Sequence, residues 1–138
     1  MDTRVVNSTV ALRVAVGLMA TLAGLDKFFN ILTDWGHYVA PVAAQVIPIP
    51  VGVLMGVVGV VEIAVGLCIL TALPVIGAYV ASAWLLLVSV NLVLGGFFDI
   101  AVRDVVLAVG AYTLARLMEV AREEGLAGFG SPGRRLTA

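Results

Sequence analysis

The chain has 138 residues and a formal net charge of −1; 62% of its residues are hydrophobic, 12% are charged, and the mean hydropathy is +1.12. Soluble domains carry about twice that share of charged residues, so the composition predicts an integral membrane protein. The near-neutral charge excludes a basic nucleic-acid-binding surface, and the single cysteine, Cys68, excludes an internal disulfide and a cysteine-based metal site.

The first membrane span is predicted over residues 9–28. Its positions at intervals of three and four residues share one helix face, which carries small residues between two cations: Arg13, Gly17, Ala20, Gly24 and Lys27. Small residues let a second helix approach closely, so this face should point into a helix bundle. Arg13 either extends to the membrane surface or belongs to the polar interior, and the sequence leaves both open.

The segment after the first span mixes aromatic and polar residues and then becomes apolar. Its apolar part, residues 39–49, is too short to cross a membrane and contains Pro41 and Pro48. We therefore predict an interfacial or re-entrant segment between the first and second spans. His37 is the only histidine, and a lone imidazole does not make a metal site.

The second span, residues 51–73, carries Glu62 close to its middle. A charged group at membrane depth costs several kcal/mol, so this carboxylate should face protein and have a partner. Small residues lie on the same helix face as the carboxylate: Gly52, Gly56, Gly59, Glu62 and Gly66. This face is expected to pack against another helix.

The third and fourth spans are predicted at residues 75–98 and 100–120, and both connections are short, which forces antiparallel neighbours. A tight turn is expected at Gly95 and Gly96. One face of the third span carries Trp84, Val88, Asn91, Gly95 and Phe98. The amide of Asn91 is expected either to hydrogen-bond across helices or to contact a ligand.

These spans predict an all-α fold in which residues 1–124 form an antiparallel, up-down four-helix transmembrane bundle and residues 125–138 form a flexible cytoplasmic tail. Basic residues concentrate towards the side of the two termini: Arg4, Arg13, Arg116, Arg122, Arg134 and Arg135. The positive-inside rule then makes both termini cytoplasmic in a bacterial-type plasma membrane.

A rise of about 1.5 Å per residue gives each polar group a depth, and together these groups predict a polar track that opens outward. The predicted ligand-binding residues along it are Asp26, Lys27, Arg103, Asn91, Glu62 and, deepest, Arg13. The outer mouth is predicted to include Asp34, Trp35, His37, Asp99 and Asp104. Because Lys27 lies roughly 10 Å or more above Glu62 by this count, Asn91 or Arg13 is the expected partner of the carboxylate.

Two short motifs resemble a known family. Gly24-Leu25-Asp26-Lys27-Phe28 is similar to a Gly-x-x-Lys-Phe/Leu motif, and Glu62-x-x-x-Gly66-Leu67 follows it in the second span. With the four-helix layout, they resemble the DoxX-like small membrane proteins over nearly the whole chain. Some DoxX-like proteins are linked to quinone-reducing thiosulfate oxidation and to membrane-attached oxidoreductase assemblies. The resemblance therefore implies a quinone as ligand and oxidoreductase subunits as partners.

The first functional hypothesis is a small membrane subunit of a respiratory or redox-linked oxidoreductase assembly, surrounded by membrane lipids, that binds a quinone or lipid-like ligand in the polar track. A proton-coupled transporter is an alternative, since an intramembrane glutamate can exchange protons and substrate. A non-catalytic membrane scaffold is another. The sequence has no Ser-His-Asp set, phosphate-binding loop or metal-ligand cluster, so neither catalysis by this chain alone nor a covalent cofactor is expected.

Overall fold

The structure is a computed structural model and describes residues 1–129. All regular secondary structure in this range is helical. The elements in chain order are α1 (Thr3–Asp26), a short 3₁₀ helix (Trp35–Tyr38), α2 (Pro41–Val46), α3 (Val51–Leu70), α4 (Pro74–Leu94) and α5 (Phe98–Phe129).

Among the described residues, three helices are long and apolar enough to cross a membrane: α1, α3 and α4. The predicted all-α class is confirmed for these residues, and the three candidate spans support the predicted membrane protein. The longest helix, α5, has 32 residues but is interrupted by charged side chains and is not among the three. A fourth spanning helix, and with it a four-helix transmembrane bundle, stays a prediction.

The helix boundaries follow the predicted spans at most ends. The turn between α4 and α5 is built by Gly96 at φ +82°, a left-handed conformation that favours glycine. There Phe97 N–H donates to Leu92 O at 2.9 Å and Gly96 N–H donates to Val93 O at 3.1 Å, which satisfies the last carbonyls of α4. The turn predicted at Gly95 and Gly96 is confirmed.

Four helix ends lie outside the predicted spans: α4 begins one residue early at Pro74, α5 begins two residues early at Phe98, and the other two differ by more. The helix α1 begins at Thr3, within the segment before the predicted first span. The helix α5 continues to Phe129, so it includes residues 125–129 of the predicted flexible tail. The rest of that predicted tail, residues 130–138, lies outside the described residues.

The four long helices contact one another in the cyclic order α1, α3, α4 and α5, with α5 returning to α1. The buried core is made mainly of small side chains: Val16, Val65, Ile69, Ala78, Ala81, Ala111, Leu114 and Ala115. Large aliphatic side chains cover the outer surface instead; Val106, for example, is 65% exposed. A core of small residues beneath a surface of large apolar ones is expected for a protein surrounded by lipid, because helices in a membrane associate through close packing of small residues.

The contact between α1 and α3 depends on glycine at two points. A Cβ atom on Gly24 would lie 2.6 Å from Gly59 O, and one on Gly66 would lie 2.7 Å from Gly17 O. Real Cβ atoms do not approach other atoms to within 3.0 Å, so any larger residue here forces the two backbones apart. The predicted close packing of these two glycine faces is confirmed for these four positions.

We expect Gly59→Ala to lower the free energy of unfolding by about 1–3 kcal/mol, the usual cost of overpacking a tight contact. Unfolding by sodium dodecyl sulfate in mixed micelles, followed by circular dichroism, measures this loss. Gly110→Ala is the matched control, because Gly110 also lies within a long helix and its added Cβ meets no atom within 4 Å. Equal losses in both variants would contradict the packing argument.

Candidate functional site

A cavity of about 660 Å³ lies between the long helices and is closed on one side by the segment that joins α1 to α3. Its volume is in the range of small-molecule sites, and most of its lining is aliphatic, as is usual for such sites. Its walls include Met19, Ala23, Leu54, Met55, Val58, Leu85, Val88 and Leu107. Its polar and aromatic lining residues include Lys27, Trp35, Tyr38, Glu62, Trp84, Asn91, Arg103 and Asp104.

An ion pair between Lys27 and Glu62 joins α1 to α3 at this cavity. The Nζ of Lys27 lies 2.6 Å from Oε2 of Glu62, and the two side chains are only 5% and 14% exposed. The indole Nε1–H of Trp84 donates to the other carboxylate oxygen at 3.4 Å. The ammonium group also lies 3.8 Å from the ring centroid of Trp35, a cation–π contact. The cavity therefore has a charged end enclosed by two indole rings.

The expectation that Asn91 or Arg13 would be the partner of Glu62 is wrong. A Cβ atom on Gly24 would lie 2.8 Å from Cβ of Glu62, and one on Gly59 would lie 3.3 Å from Cβ of Lys27, so the two charged residues lie on either side of one close helix contact. Depth along the axis, however, ignores the direction of the side chains. Each side chain leans towards the N-terminus of its own helix, and because α1 and α3 are antiparallel, these two lean towards each other.

The amide of Asn91 holds the connecting segment over the cavity. Its Oδ1 accepts a hydrogen bond from Ala40 N–H at 3.0 Å, and its Nδ2 donates to Tyr38 O at 2.8 Å. Both polar atoms thus bond to the backbone just before α2. Asn91 lines the cavity as predicted, but these bonds give it a structural role that does not require a ligand.

Asp26 positions the connecting segment and Trp35 without lining the cavity. Its carboxylate accepts hydrogen bonds from the backbone N–H groups of Ile31 at 3.0 Å and Leu32 at 2.9 Å, and from Nε1–H of Trp35 at 2.9 Å. The chain turns at Asn30, whose φ of +51° is in the left-handed region that asparagine tolerates better than most residues. Asp26 therefore holds the indole ring that covers Lys27.

Arg13 lies away from this cavity, near the middle of α1 and beside the end of α3. Its Nε donates to Ile69 O at 2.7 Å and its Nη2 donates to Leu70 O at 3.1 Å. These carbonyls end α3 and have no partner within that helix, and a cation suits the negative end of a helix dipole. The prediction that Arg13 forms the deep end of the same polar track does not agree with this position.

The residues predicted for the outer mouth divide into two groups. Trp35 and Asp104 line the cavity, as does the predicted ligand-binding residue Arg103. Asp34, His37 and Asp99 are not among its lining residues.

Asp34, His37 and Asp99 lie outside the cavity, each in a different setting. Asp34 caps the 3₁₀ helix by accepting a hydrogen bond from Gly36 N–H at 3.2 Å. His37 packs edge-on against Phe97, with ring centroids 5.3 Å apart. Asp99 lies exposed in the first turn of α5. These three contribute to the loop and helix ends around the cavity and not to its lining.

The sequence-based site omitted Trp84 and the apolar walls. Trp84, Val88 and Asn91 all line the cavity, and their spacing along α4 had already put them on one helix face. The spacing could therefore have identified Trp84 as a residue of the site. The apolar lining has no comparable signal, because lipid-facing and cavity-facing aliphatic residues look alike in a membrane helix.

Comparisons with protein-family models, with curated protein sequences and with solved structures each found no match for this chain. The resemblance to the DoxX-like proteins therefore depends on the two motifs in α1 and α3. Lys27 of the first motif and Glu62 of the second form the ion pair of the cavity. Within residues 1–129, no three histidine, cysteine, aspartate or glutamate side chains lie together as a metal site would require.

Removing one partner of the ion pair should destabilise the fold strongly. We expect Lys27→Met and Glu62→Leu each to lower the free energy of unfolding by about 3–5 kcal/mol, because each leaves an unpaired charge in an apolar site. The double variant should recover most of that loss. Unfolding in mixed micelles measures all three. If the loss of unfolding free energy in the double variant equals the sum of the two single losses, the two side chains do not interact.

Proposed function

We propose that the protein binds a quinone or a similar lipid-like ligand in the cavity, as a small membrane subunit of a redox-linked oxidoreductase assembly. One observation carries this proposal: an apolar cavity of about 660 Å³ ends at the Lys27–Glu62 ion pair between two indole rings. A ligand with an apolar ring and tail and one or two carbonyl groups matches that distribution of polar and apolar surface.

The polar end supplies hydrogen-bond donors for a carbonyl oxygen. The ammonium group of Lys27 has three N–H donors, of which one is directed to Glu62 and one, at 3.5 Å, to Ala23 O. Its remaining donor and the weakly bonded Nε1–H of Trp84 are available to a ligand oxygen. Indole rings also stack favourably on a flat ring. Glu62 holds the ammonium group in place.

The membrane arrangement belongs to the same proposal. We take α5 as the fourth transmembrane helix, with both termini cytoplasmic and the cavity towards the outer side. The Met1 amino group lies 2.5 Å from Oε2 of Glu124, so the start of α1 and the last turns of α5 meet at one end of the molecule. An even number of spans is consistent with that contact. The redox-active centre is assigned to a partner subunit, as the family resemblance implies.

Fluorescence of the native tryptophans tests ligand binding directly. The chain has two tryptophans, Trp35 and Trp84, and both line the cavity. A short-tailed benzoquinone should quench them saturably. We expect Val58→Phe, which adds a ring to the cavity wall, to weaken binding by about tenfold or more, which corresponds to about 1.4 kcal/mol.

The neighbouring substitution Val57→Phe is the matched control. Val57 lies on the same helix, is 53% exposed and is not a lining residue, so its variant should bind the quinone like the wild type. Free tryptophan amide in the same detergent gives the collisional background. Quenching that rises linearly, without saturation and equally in all three proteins, would refute the proposal.

A proton-coupled transporter is the second candidate. The observation in its favour is that two carboxylates, Glu62 and Asp104, line one cavity together with Lys27. Flux measurements in reconstituted vesicles distinguish the two functions. Proton-coupled flux that Glu62→Gln abolishes would favour transport. Saturable quinone binding without any flux would favour the oxidoreductase subunit, and neither activity would favour the membrane scaffold.

A further inference from the structure

A second cavity, of about 510 Å³, lies at the end of the molecule opposite the Lys27–Glu62 pair. The start of α1, the turn between α3 and α4, and the last turns of α5 meet there. Apolar side chains, among them Val10, Ile76 and Met118, form much of its wall. Two cations, Arg13 and Arg122, also line it, whereas none of its described lining residues is acidic.

The guanidinium of Arg13 has donors left for a ligand. Its Nε and Nη2 donate to the carbonyls at the end of α3, whereas its Nη1 makes no hydrogen bond within residues 1–129. It forms no ion pair with any described carboxylate. Arginine has more N–H donors than these bonds use. A half-buried positive charge therefore faces the cavity without a counter-ion from the described chain.

Two carboxylates near this end are already engaged. Glu124 pairs with the Met1 amino group. Glu119 pairs with Arg116 at 2.7 Å and accepts a hydrogen bond from the Tyr79 hydroxyl at 2.9 Å. Arg122 forms no ion pair among the described residues. The cavity lining is thus cationic. The described carboxylates near it, including Glu123, which forms no ion pair among the described residues, are not lining residues.

The position of Arg13 along the helices indicates which kind of anion this cavity would bind. Arg13 binds the last carbonyls of α3, next to the turn where the chain leaves one apolar helix and enters the next. In a membrane, that level is occupied by lipid headgroups, and basic pockets between helices there bind anionic headgroups. The apolar side chains that α4 and α5 add to the lining, Ile76 and Met118, suit an acyl chain.

We propose that this cavity binds an anionic phospholipid, with its phosphate between Arg13 and Arg122 and an acyl chain along α4 and α5. The positive charge of the lining selects an anion, and the apolar wall selects an amphiphile over a free phosphate ion. This site is separate from the proposed quinone cavity and does not depend on it.

Native mass spectrometry of the full chain in a neutral detergent tests the site by titration with phosphatidylglycerol or phosphatidylcholine of identical acyl chains. The wild type should bind phosphatidylglycerol at least about tenfold more tightly, and Arg122→Gln should remove most of that preference. Arg4→Gln is the matched control: it removes the same charge at the same end of the molecule, and Arg4 is not a lining residue. The control variant should keep the preference.

Three results would overturn the proposal: equal affinity of the wild type for both lipids, equal losses in the Arg4 and Arg122 variants, or displacement of the bound lipid by millimolar glycerol phosphate. A second pair of variants tests the acyl-chain wall independently of charge. Ile76→Phe should weaken phosphatidylglycerol binding several-fold, because Ile76 lines the cavity. Val80→Phe, one turn further along α4 and outside the lining, should not, and equal effects of the two would contradict the assigned wall.

Discussion

The close approach of α1 and α3 is the constraint on which the candidate site depends. Because Gly24 and Gly59 bring the two backbones together, the side chains on either side of that contact meet across a short gap. Lys27 and Glu62, which belong to two antiparallel chain segments, form an ion pair across that gap. Burying either charge alone in these apolar surroundings would cost free energy, and the pair neutralises both charges. A larger residue at the glycines would separate the helices and, with them, the ion pair.

The connecting segment between α1 and α3 depends on polar side chains that bind its start and its middle. Asp26 binds its first turn and the indole of Trp35, and Asn91 binds its backbone before α2. These bonds satisfy backbone groups that would otherwise be exposed to an apolar environment. As a result, this 24-residue connection can close a cavity at the end of the bundle and can hold Trp35 over Lys27.

The two ends of the molecule use their charges differently. Around the Lys27–Glu62 pair the cation has a carboxylate partner, so the polar end of that cavity offers hydrogen bonds more than net charge. At the other end Arg13 is held by helix carbonyls, which orient the guanidinium without neutralising it. A neutral carbonyl-bearing ligand therefore suits the first cavity and an anion suits the second. Both inferences follow from which partner each cation has.

Composition and the helical repeat were enough to predict the membrane class, the apolar helices, the tight turn at Gly95 and Gly96, and the glycine faces of α1 and α3. They also indicated Lys27, Glu62 and Asn91 as site residues. The partners of these residues depend on the tertiary structure. Side-chain direction in antiparallel helices pairs Lys27 with Glu62, the path of a 24-residue connection brings Tyr38 and Ala40 to Asn91, and the end of α3 captures Arg13. Such contacts depend on long-range geometry, which the spacing of residues along one helix does not contain.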